Sequence, residues 1–224
     1  MKKLFTILTV VALTTTISFA QFSAKAGLNM ANIVTNIDGA ENGMKIGMII
    51  GGNYAMEISD AMSLNISAVF KQSGTKETSE MSENGITVKS TSTVSLNYLD
   101  ISPSVAYHVS DAISLSVGPY LAYAMSGKSE YEYTAKGTGV DISESSSDAI
   151  KFGDGEDDDG IKAMDFGLNI GASYSINDAM SVSAGYALGL SNLSYEEDDL
   201  PSDEEQDSVK NSAIYLTFGY TFGN

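Results

Sequence analysis

Apolar residues recur at every second position through most of this 224-residue chain. One run reads Met44, Ile46, Met48 and Ile50, then Tyr54, Met56 and Ile58. Another reads Ile214, Leu216, Phe218, Tyr220 and Phe222. Successive side chains of a strand point to opposite faces, so this period builds β-strands with one apolar face. The runs predict eight strands. The first carries Phe22, Leu28 and Met30, and the last carries Ile214 to Phe222.

A near-repeat marks half of the connections. Ser59-Asp60-Ala61-Met62-Ser63, Ser110-Asp111-Ala112-Ile113-Ser114 and Asn177-Asp178-Ala179-Met180-Ser181 each lie between two alternating runs. Asp, Asn and Ser side chains hydrogen-bond the local backbone and favour tight turns, so these are three short hairpins. The other connections span residues 35–43, 74–92, 134–161 and 196–208 and are long, polar and mostly acidic. Short and long connections thus alternate strictly. The fold expected is all-β, an eight-stranded antiparallel up-and-down transmembrane β-barrel. It has short periplasmic turns and long acidic outer loops.

The second face decides between lipid and water outside. It reads Ser63, Asn65, Ser67 on one strand and Ser114, Ser116, Gly118 on another, with Gly171, Ser173, Ser175 and Ser181, Ser183, Gly185 beyond. A soluble barrel or sandwich needs a charged exterior. This face is too poor in charge for that, and suits the lining of a narrow barrel. The apolar face then meets lipid. Counted from the turns, Tyr107, Tyr174, Tyr220 and Phe222 form a lower aromatic level, and Phe70, Tyr123 and Phe166 an upper one. Two levels are the girdles of a membrane barrel.

The inward phase also carries Lys25, Lys45, Glu57, Lys71, Asp100 and Asp165. Three positive and three negative groups can neutralise each other as a plug, since an unpaired interior charge is costly. Lys71 and Asp100 stand at equal heights above the Asp60 and Asp111 turns on neighbouring strands, so they are the first interior ion-pair candidates. Lys25 and Glu57 are the others, and Asp100 pairing with Lys45 is the alternative to Lys71.

Targeting signals frame the domains. Lys2 and Lys3 precede an apolar stretch from Leu4 to Phe19, and Ser18-Phe19-Ala20 offers a cleavage site before Gln21. Residues 1–20 read as a cleaved signal peptide and 21–224 as the barrel. No later segment is apolar for the roughly 18 residues of a helical span. The net charge of −17 argues against nucleic acid, and the lack of Cys excludes disulfides and thiolate metal sites.

Candidate chemistry is sparse. The only histidine, His108, lies two residues before Ser110 and faces inward near the short-turn rim. A nucleophile needs an activating base, and nothing obvious supplies one. No catalytic constellation is present, so no enzyme activity and no cofactor are expected. Asp154, Glu156 and Asp158 alternate as in calcium loops. However, Asp159 occupies the glycine position and Asp165 the bidentate glutamate position. A solvated acidic loop is the simpler reading, with divalent bridging to lipopolysaccharide phosphates a softer one.

Several motifs carry a resemblance. Ala26-Gly27-Leu28-Asn29-Met30-Ala31-Asn32, Tyr98-Leu99-Asp100-Ile101-Ser102-Pro103 and Gly118-Pro119-Tyr120-Leu121-Ala122-Tyr123 occur in order, followed by Asp165-Phe166-Gly167-Leu168 and Tyr186-Ala187-Leu188-Gly189-Leu190-Ser191-Asn192. Together they resemble the PorT-like outer-membrane β-barrel family of the Bacteroidetes. Asp100 stands where that family usually has Glu, and Ser102 separates Ile101 from Pro103. The resemblance implies an outer-membrane barrel and little about activity; its namesake is tied to protein secretion and gliding. The reading at this point is a monomeric barrel of the cell outer membrane with a structural or interaction role. Its partners are outer-membrane lipid, lipopolysaccharide and an unidentified extracellular or envelope protein. The alternatives are a lipid-modifying barrel enzyme, a secretion component, or a soluble periplasmic binding barrel.

Overall fold

The computed structural model describes residues 22–36, 43–155, 158–195 and 208–222. The expected signal peptide, most of the 35–43 and 196–208 connections, and Glu156 lie outside them. Nine strands form one antiparallel sheet among the described residues: β1 (Phe22–Thr35), β2 (Lys45–Ser59), β3 (Met62–Glu83), β4 (Ile86–His108), β5 (Ile113–Gly137), β6 (Val140–Ile150), β7 (Met164–Ser175), β8 (Met180–Gly189) and β9 (Val209–Phe222). The order is β4-β3-β2-β1-β9-β8-β7-β5-β6, and β4 also pairs with β5. That last pairing closes the sheet into a ring. No helix among the described residues is long and apolar enough to cross a membrane.

The extension of β3 and β4 corrects the expectation of a long outer loop at 74–92, and the ninth strand, β6, that at 134–161. β3 and β4 run on as a hairpin to Glu83 and Ile86, and β5 and β6 pair from Gly127↔Ile150 to Gly137↔Val140. Period two continues there in polar form, with Thr, Ser, Glu and Lys facing one another across strands, as in Thr78↔Thr91 and Glu80↔Lys89. Cross-strand hydroxyl and opposite-charge pairs stabilise a ladder without an apolar face. Asn84 and Gly85 have φ of 51° and 78°, both left-handed, as a two-residue hairpin turn requires. The result is a four-stranded paddle standing on the ring.

Two local irregularities mark where ring becomes paddle. Tyr98 pairs with Ala124 but Asn97 pairs with Ser126, so Met125 is an extra residue in β5. Such a bulge bends its strand and shifts its facing. Above Met125, β5 leaves β7 for β6. On β3, Gly74 has a φ of 126°, and an added Cβ there would collide with the carbonyl of Val94. Just above it, the amide of Lys76 donates to Gly43 O, the last tie between β3 and the β2 side among the described residues.

The exterior of the ring is apolar. Leu28, Ile50, Leu115, Ile170 and Phe218 are each about half exposed, between 45% and 57%. Burying one such side chain stabilises a protein by about 1.5–3 kcal/mol, and this band forgoes that gain unless lipid covers it. At the short-turn end Phe22 and Tyr54 lie 4.8 Å apart, and Tyr220 and Phe222 5.3 Å apart. They join Tyr107 and Tyr174 as an exposed aromatic rim. From Ile113, opposite Tyr174, to Tyr123 is about ten residues, or about 33 Å along the strand. A tilt of roughly 35–45° turns this into about 25 Å of height, the usual thickness of an apolar band.

Candidate functional site

Polar and charged side chains from several strands converge in the interior of the ring. Lys71 on β3 and Asp100 on β4 both take the inward phase. The register sets Lys71 against Tyr98 and Asp100 against Val69, so the two stand on a diagonal two residues apart. Lys71 Nζ lies 2.7 Å from Asp100 Oδ2, with both side chains buried. The hydroxyl of Ser102, two residues along β4, donates to the other oxygen of Asp100. Lys71 Nζ also lies 4.6 Å from the centre of the Tyr120 ring on β5.

Tyr120 links this pair to a second buried carboxylate. Its hydroxyl donates to Asp165 Oδ2 at 3.1 Å. Asn211 Nδ2 donates to the same oxygen at 2.9 Å, and Ser191 Oγ donates to Asp165 Oδ1 at 2.6 Å. Asn211 Nδ2 also approaches the Tyr98 hydroxyl at 3.3 Å, and its Oδ1 accepts from Ser73 Oγ at 3.2 Å. Asp165 is only 1% exposed. Among the described residues it has no cation within 4 Å, and its hydrogen-bond donors Tyr120, Asn211 and Ser191 are all neutral. Around this layer Leu96, Ala122, Ala124 and Ala213 are buried, with Val94, Ile150 and Phe152 packed against them. Ile150 and Phe152 belong to the stretch expected as an outer loop.

Below the layer the ring is hollow. A cavity of about 360 Å³ runs from the level of Asn29 and Lys71 down to Asn177 and Asp178 in the β7–β8 turn. Its lining is mostly Ser, Thr and Asn, the second face read from the sequence. Space comes partly from glycine: Gly171 and Gly185 face each other across β7 and β8, and the Tyr215 hydroxyl lies where their Cβ atoms would be. The phenol therefore lies flat over two adjacent strands.

The residues singled out in the sequence fall as follows. Lys71 and Asp100 come together. Lys25 and Glu57 do not: Lys25 Nζ donates to Ser67 Oγ at 2.8 Å, and Glu57 is exposed beside the β2–β3 turn. The turn is the reason, since the bulge between Glu57 and Ser59 carries the end of β2 out to solvent. His108 lines the short-turn half of the cavity. Asp154 is exposed, and Asp158 Oδ2 accepts from the amide of Gly155 at 3.1 Å. Among the described residues no three His, Asp or Glu side chains converge as a metal site. Tyr98, Tyr120, Asn211 and Ser191 were not singled out as partners of the interior charges. Their inward phase was legible, but their meeting across β4, β5, β9 and the segment after β8 was not.

Comparison with known proteins places this architecture. Residues 14–195 match the family described as outer membrane protein beta-barrel domain. No curated protein matches the chain. Among solved structures, Ail, the attachment invasion locus protein of Yersinia pestis, is 14% identical. The alignment covers 89% of this chain and 97% of Ail, with a TM-score of 0.41. Neisserial surface protein A is 13% identical over 90% of this chain and 97% of its own, with a TM-score of 0.41. The outer membrane protein OprG from Pseudomonas aeruginosa is 11% identical over 91% and 96%, with a TM-score of 0.31.

Proposed function

The chain belongs to the outer membrane protein beta-barrel domain family, and from that premise we propose that it is a closed envelope barrel with a structural or interaction role rather than a pore. Residues 1–20 act as a cleaved export signal. Eight strands, all but β6, cross the outer membrane. Three short turns face the periplasm, and the β3–β4 and β5–β6 paddle projects outward with the acidic segments. Within the family, the Tyr98-Leu99-Asp100-Ile101 and Gly118-Pro119-Tyr120-Leu121 motifs support a PorT-like member.

One observation carries the reading: the layer built on Tyr98, Lys71, Asp100, Tyr120, Asp165 and Asn211 crosses the lumen. A diffusing ion would have to break charge-assisted hydrogen bonds in a low-dielectric interior, where they are strongest. The same layer supports a rigid scaffold that presents the paddle to a partner.

Planar-bilayer recording tests this. The refolded protein is expected to give no stable conductance steps. A Tyr98→Ala, Tyr120→Ala double variant, which removes the two large side chains of the layer, is expected to conduct. Stable steps from the unaltered protein would overturn the closed-barrel reading.

A further inference from the structure

Beneath the plug the cavity wall carries Lys25, the Lys71–Asp100 pair and, at the short-turn end, Asp178. Lys25 and Lys71 face it with one deep carboxylate, Asp100, which Lys71 already holds at 2.7 Å. Lys25 is half-buried, and among the described residues it has no carboxylate within 4 Å. Its ammonium carries three protons, one of which goes to Ser67 Oγ at 2.8 Å. The strand positions on either side of Lys25 are Gly51 and Gly219, so neither cross-strand partner contributes a side chain of its own beside it.

A second feature points the same way. Asn29 is 1% exposed, lines the upper end of the cavity, and donates through Nδ2 to Gln72 O at 2.8 Å. Its Oδ1 is buried with no partner. A buried polar atom left unmet costs about 1–3 kcal/mol, so it calls for a donor inside the cavity. The wall thus asks for an anionic group at Lys25 and a proton donor higher up, amid serine and threonine hydroxyls.

We propose that this cavity is a binding site for a small hydroxylated carboxylate monoanion, which enters from the short-turn end and places its carboxylate on Lys25. One unpaired ammonium neutralises one charge. Asp178 at the short-turn end repels an anion in proportion to its charge, so a monoanion is favoured over a dianion. A volume of about 360 Å³ lies within the usual range for small-molecule sites. The inference requires the closed ring and its cavity, and is independent of what the paddle binds.

The test is a titration of the refolded barrel in micelles with sodium gluconate at constant ionic strength, using chloride as the balancing salt. The Lys25 ε-methylene NMR signals should shift saturably, with millimolar affinity. Lys25→Met, which keeps the length and removes the charge, should weaken gluconate binding at least tenfold. Glu57→Gln at the exposed rim should leave it unchanged. Lys25 signals that stay put, or that move linearly without saturation, would overturn the proposal even if Lys25→Met failed to fold. Equal affinity in a folded Lys25→Met barrel would overturn it as well. The bilayer recordings read the plug above the cavity, so failure here and failure of the closed-barrel reading remain separable.

Discussion

A single buried side chain in this barrel is stable only through its partners, and the two partners of the interior ion pair differ in what else they hold. Without Lys71, the hydrogen bond that Asp100 keeps among the described residues comes from the hydroxyl of Ser102. Without Asp100, Lys71 still lies over the Tyr120 ring at 4.6 Å. A cation over an aromatic face gains about 0.5–2 kcal/mol, more where water is excluded. Breaking a buried pair costs about 3–5 kcal/mol because one charge is left uncompensated. Lys71→Ala is therefore expected at the upper end of that range and Asp100→Ala at the lower end. The double variant should cost less than the sum. Urea unfolding of the refolded barrel, read as a double-mutant cycle, measures this, and strictly additive losses would show that the pair is not energetically coupled. This pairing was legible because both residues are counted upward from short turns on adjacent strands. Asp165 was legible as inward-facing, but its donors Tyr120, Asn211 and Ser191 come from across the lumen. No spacing within one strand pair encodes a contact across a barrel.

At the scale of the element, the sequence showed every strand with an apolar face and concealed the one without. Residues 140–150 carry Asp141, Glu144 and Asp148 among serines, and read as an acidic loop until β5 is seen to pair with them. Charge on such strands has a use of its own. Among the described residues β6 and the upper part of β3 are the edges of the paddle, and Asp, Glu and Lys there oppose edge-to-edge aggregation. The Asn84-Gly85 pair was a readable hairpin signal inside a stretch taken for loop. The strands beside it lack an apolar period, so nothing in the alternation points to the hairpin. The paddle's ladder contacts are local, between strands joined by two-residue turns or running side by side. The ring should accordingly not depend on them. Excising residues 78–91 and joining Glu77 to Ser92, an opposed pair, through Asn-Gly is expected to leave a barrel that refolds. The heat-modifiable gel shift would be retained and the urea midpoint little changed. Loss of the gel shift would mean that the paddle nucleates the ring.

For the whole molecule the decisive quantity is the direction in which its two unlike ends face. One end has the tight turns at Asp60, Asp111 and Asp178, backed by the aromatic rim of Phe22, Tyr54, Tyr220 and Phe222. The other end has the paddle and the acidic residues Asp154, Asp158 and Asp159. β1 starts and β9 ends together at the tight-turn end, where Phe22 is paired with Phe222. A chain inserted from the periplasm has to carry its long connections through the bilayer once and leave its termini behind. Tight turns on the periplasmic side are the outcome expected from that route of assembly, as in bacterial barrels generally. Protease added to intact cells is then expected to reach the Asn84-Gly85 and Thr138-Gly139 turns, both at paddle tips. It should spare the Asp60, Asp111 and Asp178 turns until the outer membrane is opened. Epitope tags make the same measurement without relying on cleavage: one inserted at Gly139 should label on intact cells, and one at Asp111 only after permeabilisation. Labelling of Asp111 on intact cells would invert the barrel and send the cavity that holds Lys25 to the outside. Recovery of the mature chain in the soluble periplasm would remove the lipid that the exposed band around Leu28, Ile50 and Leu115 requires.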